Sequence, residues 1–157
     1  MKQDNERNQQ IKFEEYGKKY KNMMDAKEGL KKEIGYSIKR LDRETFKKFG
    51  FTLVNLDSKQ EHFEFQIFGR NIRQRISIDI KGGVGYWHWI LPEYNHEKEN
   101  QTEKIIFNCI FDSEKKITKA DKICELHKEK LFPFFLECIY DFCLAVDEVI
   151  SERYKGG

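Results

Sequence analysis

Long apolar runs are missing from this chain of 157 residues, and its amino end, Met1 to Gln10, is strongly polar. The first absence leaves no stretch of membrane-spanning length, and the second leaves no signal peptide. The four cysteines, Cys109, Cys124, Cys138 and Cys143, sit in apolar stretches and form no Cys-x2-Cys pair of the kind zinc prefers. Prolines are scarce, with only Pro92 and Pro133. No glycine-rich phosphate loop opens a helix after a strand, and His62, His88 and His96 have no Ser or Cys partner at a recognisable spacing. There is no internal repeat, low-complexity tract or linker. The expectation is a reduced, cytoplasmic protein with core thiols, no metal and no cofactor.

What is present is globular. The chain is 39% hydrophobic and 36% charged, with 13 Phe, and its length suits one domain with a real core. The formal charge of +2 argues against a protein that binds nucleic acid with its whole surface. The distribution is uneven: residues 1–50 carry 14 Lys or Arg against 9 Asp or Glu.

The stretch from Ile72 to Leu91 anchors the fold prediction. Ile72, Ile76, Ile78 and Ile80 alternate with Arg73, Arg75, Ser77, Asp79 and Lys81, the period of a strand with one apolar face. Gly82-Gly83 is expected to make a two-residue hairpin turn into an aromatic second arm, Val84 to Leu91, which Pro92 ends. Upstream, Met1 to Gln10 is expected to be frayed. Phe13, Tyr16, Tyr20, Met23, Leu30, Ile34, Ile38 and Leu41 then form a narrow helical stripe, in one helix or in two that restart near Asp25. Strands are expected at Phe51–Asp57, His62–Phe68 and Glu103–Asp112. Turns are expected at Ser58–Glu61 and Gly69–Asn71, and an exposed loop at Glu93–Thr102. Ser113 to Phe132 reads as a turn and a helix. Phe134 to Tyr154 reads as the most buried helix, with Phe135, Ile139, Phe142 and Val146 facing the sheet. The predicted architecture is α+β, a single domain over residues 11–157. It has a five-stranded antiparallel meander flanked by an N-terminal helix (or helix pair) and two C-terminal helices.

Three chemistries follow from these residues. Asp79-Ile80-Lys81 on a strand, with Asp57 and Glu64 on the preceding strands, resembles the active strand of the PD-(D/E)xK nuclease superfamily. The resemblance implies an acid pair that holds Mg²⁺ and a lysine beside the attacked phosphate. The chain departs from that family after Lys81, where a Gly-Gly hairpin stands in place of the usual helix. Arg70, Arg73, Arg75 and Lys81, near Trp87 and Trp89, suggest a basic, aromatic platform for single-stranded nucleic acid. Cys124 and His127 lie three residues apart on the expected helix, without the second pair that zinc needs. The remaining class is protein binding, and it is the main expectation: a small regulator, inhibitor or immunity-type protein. Its candidate contacts are Arg73, Arg75, Asp79 and Lys81 on the polar strand face, His88 if it points the same way, and Tyr16 and Tyr20 on the helix. Aromatic residues and Arg are enriched at interfaces.

Overall fold

The computed structural model describes residues 2–57, 62–95, 97–126 and 130–155. One long helix, α1 (Lys2–Leu41), leads through a single turn, α2 (Glu44–Lys47), into seven strands: β1 (Thr52–Asp57), β2 (His62–Ile67), β3 (Arg70–Asp79), β4 (Val84–Asn95), β5 (Asn100–Asp112), β6 (Lys116–Lys119) and β7 (Lys122–Glu125). A single helix, α3 (Leu131–Lys155), closes the chain. The strands form one antiparallel sheet in sequence order. The α+β class and the meander are as expected, but the sheet has seven strands rather than five.

Both long helices lie on the same face of the sheet. Met23, Ala26, Leu30, Ile34, Ile38 and Leu41 of α1 are buried with Phe63, Phe65, Ile72, Trp87, Trp89, Cys109 and Phe111 of the sheet and with Phe135, Ile139, Phe142 and Val146 of α3. The ring centroid of Trp89 lies 5.4 Å from that of Phe135, and that of Trp87 lies 6.0 Å from it, so the tail helix is clamped by aromatic contacts. Seven strands spaced by about 4.8 Å give a sheet roughly 29 Å wide. The buried stretch of α1, Met23 to Leu41, spans about 28 Å at 1.5 Å per residue. That stretch is the part of α1 packed on the body, and the first half, with no buried side chain among the described residues, runs on past it.

The loops differ from expectation in ways that the backbone explains. The turn after β2 is Phe68-Gly69, both in the left-handed region (φ 53 and 71), so Arg70 and Asn71 belong to β3. Phe68 is held there by its N–H donating to the Phe49 carbonyl at 2.8 Å and by the Phe49 ring at 5.3 Å. The central hairpin turns over four residues, Ile80–Gly83, and Gly83 (φ 67) takes positive φ there rather than both glycines. Gly82 is needed for a different reason: its N–H donates to Asp79 Oδ1 at 3.1 Å, and a Cβ at this position would stand 2.5 Å from the Asp79 carboxylate.

Pro92 does not end β4. The pairing of β3 with β4 stops at Arg73 and Ile90, so beyond Ile90 only β5 flanks β4, and Pro92 stands on a strand with one open edge, the setting in which a sheet tolerates proline. The expected loop at 93–102 is accordingly a long hairpin, with β4 running to Asn95 and β5 starting at Asn100. The helix expected before Phe132 is instead β6 and β7, turned at Ala120 (φ 54) and Asp121, and Cys124 stands on a strand. His127 lies outside the described residues, as does the turn expected at 58–61. The two expected C-terminal helices are the single α3, with Pro133 in its first turn, where a missing N–H costs nothing. No described helix is long and apolar enough to cross a membrane.

Candidate functional site

The face of the sheet away from the helices carries an ordered set of polar side chains. Period-two alternation puts Glu64, Arg73, Arg75, Ser77 and His88 on this side, while their neighbours Phe63, Phe65, Gln74, Trp87 and Trp89 are buried on the other. Arg73 is only 8% exposed. Its guanidinium donates to Glu64, to Glu103 at 2.7 Å and to Gln101 at 3.3 Å. Arg75 donates to the other oxygen of Glu103. Burial alone pulls the pKa of Arg73 down, but the hydrogen bonds it donates to Glu103 and Glu64 outweigh it and leave the group above its ordinary value. Burial likewise pushes Glu103 up, and its bonds to Arg73 and Arg75 reverse the sign and hold it below the usual carboxylate range.

Beside this ionic chain runs a neutral one. His88 Nε2 lies 2.8 Å from Ser77 Oγ, and His88 Nδ1 lies 2.6 Å from Asn108 Oδ1. The amide oxygen only accepts, so Nδ1 donates to it, and a neutral imidazole would then have Nε2 accept from the serine hydroxyl. The order hydroxyl, imidazole, orienting group is that of a nucleophile and its base. Here it stands on a flat, water-washed face, with Tyr86 stacked on the imidazole at 6.2 Å. The three residues come from β3, β4 and β5 and meet only in space.

The expected site residues therefore separate. Arg73, Arg75 and His88 come together on the open face. Asp79 and Lys81 do not join them. Asp79 lies six residues along β3 from Arg73, the residue opposite Glu64, or roughly 20 Å away at strand rise. Its carboxylate caps the hairpin turn, in which Lys81 is exposed. The acid pair that the nuclease resemblance implies is not brought together by Asp79 and Glu64, and the described residues contain no group of three His, Cys, Asp or Glu placed to hold a metal. Trp87 and Trp89 are fully buried in the core, so neither offers a stacking surface beside the arginines.

The four thiols are free. Cys109 and Cys138 are buried with their sulfurs 4.0 Å apart, and that contact together with burial raises the Cys138 pKa. Burial also raises Cys124 and Cys143, which keeps both protonated and unreactive.

Tyr16 and Tyr20 stand on the half of α1 that passes beyond the sheet. Both are about half exposed, Ile11 is comparable, and Phe13 is 81% exposed. Met23, one turn further on, is already core. The stripe of α1 is thus packed on the body from Met23 onward and faces water before it. Sequence reasoning also missed Glu103, Ser77 and Asn108 as partners. The alternation put Glu64 and Ser77 on the polar side, but nothing in the sequence fixes the register that sets each side chain beside its partner on the next strand. Comparison with known proteins finds no matching family model, no matching curated protein and no matching solved structure.

Proposed function

We propose that this chain is a non-enzymatic protein-binding module of the regulator or inhibitor type, and that the free half of α1 is its docking element. The observation that carries this reading is the exposure of Phe13, Tyr16 and Tyr20 on one side of a helix that buries no side chain before Met23 among the described residues. Spacings of three and four residues place these rings on one face, the pattern of an amphipathic helix that enters a groove on a partner. An isolated helix of about 20 residues is marginal in water, so a partner that covers this stripe adds order as well as contact. The occupant is a protein with an apolar groove. Lys12, Lys18, Lys19 and Lys21 beside the rings favour acidic residues at its rim.

The arginine pairing on the open face favours a protein over nucleic acid as the partner. Arg73 and Arg75 already hold Glu64 and Glu103, so a phosphate backbone would have to displace a carboxylate at each. The test is a photo-crosslinking amino acid in place of Phe13, with the same group at the exposed Tyr140 of α3 as reference. The expected result, in the native cell, is a discrete protein adduct from position 13 alone that Tyr20→Glu abolishes. An adduct indifferent to Tyr20→Glu, or no adduct, removes the docking site.

A further inference from the structure

A cleft of about 570 Å³ opens where the last turns of α1 meet the first turn of α3. Lys39, Arg40 and Arg43 line it together, and none of the three makes an ion pair among the described residues. The nearby carboxylate Asp42 is 3.9 Å from Lys47 instead. Glu33, which also lines the cleft, has an interaction of its own. The local balance is thus strongly positive in a protein whose total charge is only +2.

Arg40 is pre-positioned. Its guanidinium carbon lies 3.9 Å from the centre of the Phe132 ring, and Phe132 is held edge-on by Phe46 at 5.8 Å. Stacking uses the flat face of the guanidinium and leaves the N–H groups around its edge free to bond a planar or tetrahedral oxyanion. Cations in the last turn of a helix also offset its negative end, which accounts for charge at Lys39 and Arg40. That effect accounts neither for Arg43, which lies beyond the end of α1 in extended conformation (φ −101, ψ 155), nor for the concavity between the cations. Tyr36, about half exposed at the mouth, presents an aromatic surface beside the charges. The volume is in the range of small-ligand sites.

We infer that this cleft binds a small organic phosphate of nucleotide type, with the phosphate held by Arg40, Arg43 and Lys39 and the ring laid on Tyr36. The site is independent of the docking helix, since it sits at the opposite end of α1.

The test is calorimetric titration of the full chain at low salt with adenosine diphosphate, inorganic phosphate, adenosine and an unphosphorylated single-stranded DNA 12-mer. Saturable binding of the diphosphate is expected, with weaker binding of inorganic phosphate and none of adenosine. Arg43→Glu should weaken the diphosphate at least tenfold. Tyr36→Ala should weaken it several-fold and leave inorganic phosphate unchanged. Both side chains are exposed, so folding is retained, and Lys39→Gln gives a milder second variant with a loss of a few-fold. No saturable binding by either phosphate overturns the inference. So does binding untouched by both charge variants, or tighter binding of the 12-mer than of the diphosphate, because a polyanion would then be read by charge alone.

Discussion

The two halves of α1 carry the same apolar spacing and meet opposite fates. From Met23 to Leu41 every apolar residue of the stripe is buried, whereas Phe13, Tyr16 and Tyr20, on the same helix at the same spacings, face water. A periodic stripe therefore says that a helix has a face, not that anything covers it. Coverage is set by the rest of the fold, which buries only the stretch from Met23 to Leu41 of a helix about 60 Å long. The largest expected effect tests this contrast directly. Leu30→Ala, in the covered half, should cost about 2–5 kcal/mol in urea unfolding, through lost burial and the cavity left behind. Phe13→Ala, in the bare half, removes a larger side chain yet should move stability by no more than about 0.5 kcal/mol. If the two cost the same, the bare half is covered in solution, and a second copy of the chain becomes the first suspect.

The two faces of the sheet repeat the contrast with its sign reversed. On the open face, where water can satisfy any polar group, Arg73, Arg75, Ser77 and His88 all have protein partners. On the covered face Gln74 is fully buried between Phe63 and Trp89, and neither its amide oxygen nor its nitrogen has a partner among the described residues. A buried amide left unpaired costs roughly 1–3 kcal/mol, whereas an apolar side chain of similar size does not. Gln74→Leu should therefore raise the unfolding free energy by about that much, read as a higher urea midpoint with an unchanged slope. A loss of stability would mean that the amide is specifying the packing of Trp89 rather than opposing it.

A smaller effect is expected on the open face, and it appears as pH dependence. Glu103 is held below the usual carboxylate range in the folded protein, its burial outweighed by bonds from Arg73 and Arg75. A depressed carboxylate contributes stability above its unfolded pKa, near 4.3, and loses it as pH falls through the lower folded value. The protein should thus be more stable than Glu103→Gln at pH 7, and the two should converge as the pH drops below about 4. A constant gap across that range would show that the ion pairs add nothing, the usual result for exposed pairs.

How much of this was legible in the sequence depends on the distance over which the signal acts. The alternation in β2 and β3, the stripe of α1 from Met23 onward and the dense pattern of Phe135, Phe142 and Val146 are local, and each put the right side chains in the core. β6 and β7 have four residues each, too few for a period of two to stand out against the helical reading of Ser113 to Phe132. Pro92 read as a strand end because its tolerance depends on β3 stopping short, a fact about a neighbouring strand. Ser77, His88 and Asn108 are 11 and 20 residues apart, and so the hydrogen-bonded chain they form depends on the register between strands, which spacing does not encode. Asp79 was visible, but its role was not: the carboxylate that suggested a metal ligand caps the turn its own strand leads into.

The finest test of the boundary within α1 uses its glycines. A Cβ added at Gly17 meets nothing within 4 Å, while one added at Gly29 would lie 3.2 Å from Leu126 Cδ2. Alanine in a helix interior is worth up to about 1 kcal/mol over glycine, because it removes backbone freedom from the unfolded chain. Gly17→Ala should collect that gain as raised helicity and a slightly higher Tm. Gly29→Ala should collect the same backbone term and return it by pushing Leu126 out of place, for a net change near zero or below. The pair isolates packing from propensity, since helix, substitution and backbone conformation are the same in both. If Gly29→Ala gains as much as Gly17→Ala, then Leu126 yields freely, and the firm contact between α1 and the body begins closer to Leu30 than to Met23.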